Sequence, residues 1–354
     1  MSSYQAPKIL MFDSGVGGLS VMQEVYKANK QALFYYLFDH ECFPYGNKSE
    51  VFLKKRVSAL LQSLCSKLQP DLIVIACNTA STIVLPTLRD IFTIPIVGVV
   101  PAIKPAAKIS KKHNICLLAT QGTVHRSYTD FLINEFASDC KVLKIGSQDL
   151  VRLAEEQLIK NSQDSVPTNS NTSANAASSN ASIVATGSAD GNSDGSAVGS
   201  AAGTVSSCAS LDDYQRDKLE RLKKILEPIL QLDEANKPDV VVLGCTHFPL
   251  VKDDIAKVLG PNMKLIDSGE AVARRVKSLL ADKIGGKNES CEPTLVESPI
   301  EGSPLSLSDG SLLGPVEAFY TGHCEGIEKK QLEATFKHFG FQKISAFLPN
   351  NLQH

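Results

Sequence analysis

Pro70-Asp71-Leu72-Ile73-Val74-Ile75-Ala76-Cys77 and, 168 residues later, Pro238-Asp239-Val240-Val241-Val242-Leu243-Gly244-Cys245 decide the fold. Pro, Asp, Val and Cys coincide in register, and apolar positions match apolar positions. Each stretch is a short continuous apolar run that opens at Pro-Asp and stops at a cysteine. Such runs read as strands buried on both faces, as in parallel sheets. Any two buried strands look somewhat alike, but the shared start and the shared terminal cysteine go further. They predict a duplicated unit, and if its two copies face each other both cysteines can meet across one cleft.

Working outward, further apolar runs cover residues 8–12 (KILMF), 32–38 (ALFYYLF), 94–100, 114–119 (NICLLA) and 264–266. Between them lie stretches with apolar residues every three to four positions, for example 50–68 and 212–232, which read as helices. Alternating strands and helices predict α/β layers. In open parallel sheets ligands sit beyond the carboxyl ends of the strands. That rule singles out Asp13, Cys77, Thr120 and Cys245. Residues 161–210 stand apart: Ser, Ala, Asn, Gly and Thr dominate, and Lys, Arg, Glu, Leu and aromatic residues are missing. Such a tract buries too little apolar surface to offset its ordering entropy, so it is expected to be a disordered insertion. Residues 285–314, rich in Ser, Gly, Pro and Glu, are expected to be a long loop.

The 354 residues are 43% hydrophobic, enough for two domains with their own cores. A formal net charge of −2 gives no electrostatic grip on nucleic acid or on an anionic membrane. The N-terminus reads as no signal peptide, and no apolar run is long enough to span a bilayer, so the expected compartment is the cytoplasm. The nine cysteines (42, 65, 77, 116, 140, 208, 245, 291 and 324) include no CxxC pair. A disulfide framework and a zinc ribbon are therefore not expected, and no metal site is assigned.

Five segments carry candidate chemistry. In Cys77-Asn78-Thr79 the thiol sits where a strand should give way to a helix. Free N–H groups and the helix dipole there would lower its pKa from about 8.5 and offer donors to a carboxylate. The same residues also fit a structural cysteine before an ordinary helix cap. Cys245-Thr246-His247 repeats the design and adds an imidazole able to orient or exchange a proton. Asp13-Ser14-Gly15-Val16-Gly17-Gly18 follows the first strand but lacks both the P-loop ending and GxGxxG spacing. It suits close backbone approach to a small ligand, with Asp13 binding an ammonium group, or simply a tight turn. Phe43-Pro44-Tyr45-Gly46 reads as a turn, and Thr120-Gln121-Gly122-Thr123 as a strand-to-helix cap.

Taken together and in this order, FDSGVGGLSV, FPYGNKS, ACNTAST, LLATQGTV and GCTHFPL resemble the glutamate racemases of the aspartate/glutamate racemase superfamily. The resemblance covers residues 8–156 and 211–280, and the tail more weakly. It implies two pseudo-symmetric α/β domains, each a mostly parallel sheet flanked by helices, with the active site in the cleft between them. The expected division is 1–98 with 269–354, and 99–268 carrying the 161–210 insertion. It implies Asp13, Ser14, Tyr45, Gly46, Asn78, Thr79, Thr120, Thr246 and His247 as substrate contacts. It also implies an assisting carboxylate in Leu150-Val151-Arg152-Leu153-Ala154-Glu155, assigned to Glu155 with Glu156 as the alternative. The implied substrate is glutamate, with D-glutamate supplied to peptidoglycan. A homodimer and a peptidoglycan-precursor activator come with the resemblance as partners to test.

Racemisation removes the Cα proton on one face and returns one on the other, so two acid–base groups must flank the carbon. A thiol and a thiolate suit this, each able to act as donor or acceptor. No PLP-type lysine motif is apparent, and no cofactor is expected. Backbone N–H groups at two helix starts, with Asn78, Thr79 and Thr246, would then stabilise the enediolate-like transition state. The expected pairing is Asp13 with Cys77, and His247 with Glu155 behind Cys245. The rival readings are an aspartate or hydantoin racemase, a small-acid binding protein with inert cysteines, and a Cys/His metal site.

Overall fold

The computed structural model describes residues 5–164, 211–284, 295–296, 306–307 and 314–349. The chain opens with β1 (Lys8–Asp13), α1 (Leu19–Ala28), β2 (Leu33–Phe38), α2 (Glu50–Leu68), β3 (Leu72–Ile75), α3 (Asn78–Ile91) and β4 (Ile96–Gly98). It continues with α4 (Ile103–Ile109), β5 (Asn114–Ala119), α5 (Gln121–Val124), α6 (Ser127–Phe136), β6 (Lys141–Gly146), α7 (Asp149–Asp164) and α8 (Leu211–Leu230). Then come β7 (Val240–Leu243), α9 (Lys252–Leu259), β8 (Lys264–Ile266), α10 (Gly269–Ile284), β9 (Leu295–Val296), β10 (Ser306–Leu307), β11 (Gly314–Tyr320), α11 (Gly326–His338) and β12 (Lys343–Ala346).

Two parallel sheets result, in the orders β12-β11-β2-β1-β3-β4 and β6-β5-β7-β8. The run β2-β1-β3-β4 maps onto β6-β5-β7-β8 strand for strand, so the echo between residues 70–77 and 238–245 is an echo of position. Even the two aspartates match in use. The Asp71 carboxylate accepts the Lys8 N–H at the start of β1, at 2.9 Å. The Asp239 carboxylate accepts the N–H groups of Lys111 and Lys112 ahead of β5, at 2.6 and 3.2 Å.

Strand alternation builds the cores. Ile9 and Met11 of β1 pack with α1 and α10, while Leu10 and Phe12 pack with α2 and α3 on the other face. β5 does the same, sending Cys116 and Leu118 toward α7–α9 and Ile115 and Leu117 toward α4 and α6. All eight side chains are fully buried, and burial contributes about 1.5–3 kcal/mol for a large aliphatic or aromatic one. α7 is shared: Leu150, Val151, Leu153 and Ala154 join the second sheet's core, whereas Leu158 joins the first sheet's, and the helix packs on α11.

Three strands of the two parallel sheets lie outside the apolar runs read from the sequence. β6 is a partly exposed edge with Lys141 and Lys144 outward, so it has no continuous apolar signature. β11 and β12 return the chain to the first sheet. Of the 161–210 tract only 161–164, the end of α7, falls within the described residues. In 285–314, read as a loop, the described residues include β9 and β10, a two-residue antiparallel pair. Among the described residues, no helix is long and apolar enough to cross a membrane.

Candidate active site

The carboxyl ends of β1 and β3 face those of β5 and β7 across a cavity of only about 20 Å³. Asp13, Ser14, Tyr45, Gly46, Cys77, Asn78, Thr79, Thr120, Cys245, Thr246 and His247 all line it. A larger cavity of about 460 Å³ is lined by Cys245 but not by Cys77, so of these two cavities the small one is lined by both cysteines.

Cys77 is the N-cap of α3, and its sulfur accepts the Ala80 N–H at 3.4 Å. The Ser14 hydroxyl lies 3.6 Å from the same sulfur. The thiol's pKa is not lowered as the helix start suggested. Burial raises it far above the ordinary range, the nearby Asp13 carboxylate adds to that, and the N–H and hydroxyl contacts only partly oppose. In the closed cleft, desolvation outweighs the dipole.

Asp13 is fully buried, and its carboxylate accepts the N–H groups of Ser14, at 2.7 Å, and of Gly18. Desolvation nevertheless raises its pKa, with His247 and the backbone donors pulling the other way. Asn78 Oδ1 is buried without a hydrogen-bond partner, an open acceptor in the wall. Hydroxyls of Thr79, Thr123 and Thr120 form a chain, at 3.4 and 3.0 Å, that spans from α3 to the second sheet.

On the opposing side, Cys245 Sγ lies 3.7 Å from His247 Nδ1, and His247 Nε2 lies 3.4 Å from Glu155 Oε1. The latter is an ion-pair contact, too misaligned for a hydrogen bond, since Nε2 is left without a partner of that kind. Burial disfavours the His247 cation, but the Cys245 sulfur and the Glu155 carboxylate outweigh it and hold the imidazole well above its usual value. Glu155 stands behind His247 and outside the cavity lining, while Glu156 points to Arg221 at 2.9 Å. The second cysteine does not start an α-helix. His247 leads into a 3₁₀ turn, Phe248–Val251, with Pro249 in its first turn, and α9 begins only after it. Only α3 therefore begins directly at its cysteine.

The glycine-rich loop has a steric reason that sequence alone could not supply. A Cβ on Gly17 would lie 2.2 Å from His247 Nδ1, and one on Gly18 would lie 2.6 Å from the Tyr36 hydroxyl. Tyr36 in turn donates to the Gly15 carbonyl at 3.0 Å. Phe43 and Thr123, inside segments singled out in the sequence but not assigned as contacts, also line the cavity, as does Gln148, which the sequence did not flag. Gln148 lies two residues past β6, where the strand-end rule would have flagged it had that strand been recognised.

Two cysteines at matching strand ends, with a carboxylate beside one and an imidazole beside the other, line a small cavity between matching α/β sheets, an arrangement suited to racemase chemistry. The chain belongs to the Asp/Glu/hydantoin racemase family, whose model matches residues 13–190. Its relatives include the glutamate racemase of Vibrio parahaemolyticus, 41% identical over 300 residues (84% of this chain, 89% of that protein). The glutamate racemase of Shewanella frigidimarina is 40% identical over 301 residues (85% and 93%). Among solved structures, Escherichia coli glutamate racemase in complex with L-glutamate and the activator UDP-MurNAc-Ala superposes with a TM-score of 0.68 at 35% identity. That match covers 97% of this chain and 98% of that one. Family membership makes the chain an amino-acid racemase.

Proposed function

We propose that this chain interconverts L- and D-glutamate by transferring the Cα proton between Cys77 and Cys245. The observation that carries the reading is that two sulfurs, from matching ends of β3 and β7, open onto one cavity. Each has its own proton-handling partner: Asp13 with Ser14 beside Cys77, and His247 with Glu155 behind Cys245.

In this scheme the substrate's Cα lies between the sulfurs. One sulfur, as thiolate, removes the proton, and the other, as thiol, delivers one to the opposite face. The high pKa of Cys77 suits it to begin as the donor. The His247 cation faces the Cys245 sulfur and supports negative charge there. Asn78 Oδ1 accepts from the substrate ammonium, and N–H groups at the start of α3 face the carboxylate as it takes enediolate character. Acid–base groups supply about 10²–10⁴-fold each, and orientation within a closed, dry cleft supplies the remainder. The scheme uses no cofactor. The chain would work in the cytoplasm and supply D-glutamate to peptidoglycan, with a homodimer and a precursor-type activator as further parts of the same proposal.

The test is incubation with L-glutamate in D₂O, following optical rotation and Cα deuteration together. Cys77→Ser and Cys245→Ser should each abolish racemisation, while exchange at Cα persists from one face at most. Full activity in either variant would end the two-base scheme. Faster turnover of D-aspartate than of D-glutamate would reassign the substrate.

A further inference from the structure

The Tyr45–Gly46 turn forms one wall of the cavity, yet the Tyr45 hydroxyl is turned elsewhere. It donates to Asp39 Oδ2 at 2.7 Å. Asp39 is fully buried just past the end of β2, and four donors converge on it. Besides Tyr45 these are Arg56 Nε at 3.1 Å and Nη2 at 2.8 Å from α2, and the Thr321 hydroxyl at 2.5 Å past β11. Arg56 also reaches Glu41 at 2.6 Å, so the acidic group around Asp39 already has its cation.

A buried carboxylate costs several kcal/mol unless paired and hydrogen-bonded, and this one is saturated. Its donors tie α2, the end of β11 and the 39–45 segment to a single point. Gly46 comes next, and across the cleft it meets Gly122, where an added Cβ would lie 2.5 Å from the Gly46 carbonyl oxygen. The height of this turn therefore sets how closely the two halves approach.

We infer that Asp39 and Arg56 are positioning residues of the racemase site, fixing the Tyr45–Gly46 turn so that it meets substrate with backbone and ring while its phenol is committed to Asp39. The inference rests on the reading of the cavity as the amino-acid site. Neither residue lines the cavity: Asp39 acts through Tyr45, and Arg56 acts through Asp39. Burial and the Asp39 carboxylate raise the phenol's pKa well above its usual value, which keeps it a donor.

The experiment measures kcat and KM for both glutamate enantiomers in the full chain carrying Tyr45→Phe, Asp39→Asn and the double substitution. Tyr45→Phe should raise KM about tenfold, as expected for losing a hydrogen bond to a charged group. Its kcat should stay within about twofold, and its melting temperature should fall, because the buried carboxylate loses one of its donors. Asp39→Asn should do at least as much, and the double variant should be no worse than Asp39→Asn alone. If Asp39→Asn does not fold, Thr321→Val takes its place in the cycle. Arg56→Lys, which keeps the charge but loses the fork, should fall between the parent and Arg56→Met. An unchanged KM in Tyr45→Phe overturns the inference. So do effects of Tyr45→Phe and Asp39→Asn that multiply, because the phenol would then act on substrate directly. Racemisation by the parent chain is the control that separates a failure of positioning from a failure of the glutamate reading.

Discussion

Replacing Gly17 by alanine adds one methyl group where the His247 ring already lies. The new Cβ would sit 2.2 Å from Nδ1, 2.5 Å from Cε1 and 2.6 Å from Cγ. Gly17 is not among the positive-φ residues, so the backbone itself accepts alanine and the whole effect is steric. To restore ordinary contact the ring must retreat by about 1 Å. It is 3% exposed and packed against Phe43, with ring centroids 5.8 Å apart, so nothing gives way freely. Overpacking of this kind costs about 1–3 kcal/mol of stability. The larger effect falls on chemistry, because Nδ1 is the atom that faces Cys245, and a misplacement of about 1 Å costs roughly 10²-fold in rate. Gly17→Ala should therefore remain folded at 25 °C, melt several degrees lower and lose about two orders of magnitude in kcat in both directions. Gly260→Ala is the counterpart. Its φ of +86° with ψ of 169° is a region held almost only by glycine, and no atom lies within 4 Å of the added Cβ. That variant should lose about 1–3 kcal/mol of stability and no turnover. Circular dichroism serves as both the thermal and the racemisation assay. The reasoning fails if folded Gly17→Ala turns over within about threefold of the parent. It also fails if the substitution is still harmful in a His247→Ala background, where the clash no longer exists.

Glu155→Gln removes a carboxylate that helps hold the His247 proton. The imidazole should then lose its proton at lower pH, moving the basic limb of kcat/KM downward and shifting the ring's NMR titration the same way; an unmoved limb would count against the pairing. Lys218 is 1% exposed and joins Asp254 and Gln157, each at 2.7 Å, tying α7, α8 and α9 together. Lys218→Met should cost about 3 kcal/mol in denaturant unfolding while leaving turnover at low temperature within a few-fold. Burial opposes ionisation of Asp254, but Lys218 and Lys257 outweigh it and hold its pKa below the ordinary value. The stabilisation is therefore present above the unfolded value of about 4 and lost as pH falls through the folded one. Lys218→Met should show a shallower acid decline than the parent; an equal decline would remove Asp254 from the account.

Much of this was legible before any coordinates, because burial on both faces writes itself as apolar runs. Every run that was read contains a strand, and α2 spans the same residues, 50–68, as its periodicity. The strand-end rule likewise singled out Asp13, Cys77, Thr120 and Cys245, all of which line the cavity. Edge strands escaped, since β6 is broken by exposed lysines at 141 and 144 and has only Ile145 buried. Contacts distant in sequence escaped as well. Nothing in GVGG says that the neighbour of Gly17 is an imidazole 230 residues away, nor does FPYG say that the tyrosine hydroxyl belongs to Asp39. The direction of the Cys77 shift was misjudged because a helix start is local and visible, whereas desolvation depends on what closes over it.

α7, anchored in the cores of both sheets, carries Glu155 near its middle. With a foot in each half, the helix sets the distance between its carboxylate and His247 Nε2, 3.4 Å here. The charge held on that imidazole is therefore tied to the seating of a helix whose anchors lie in both cores.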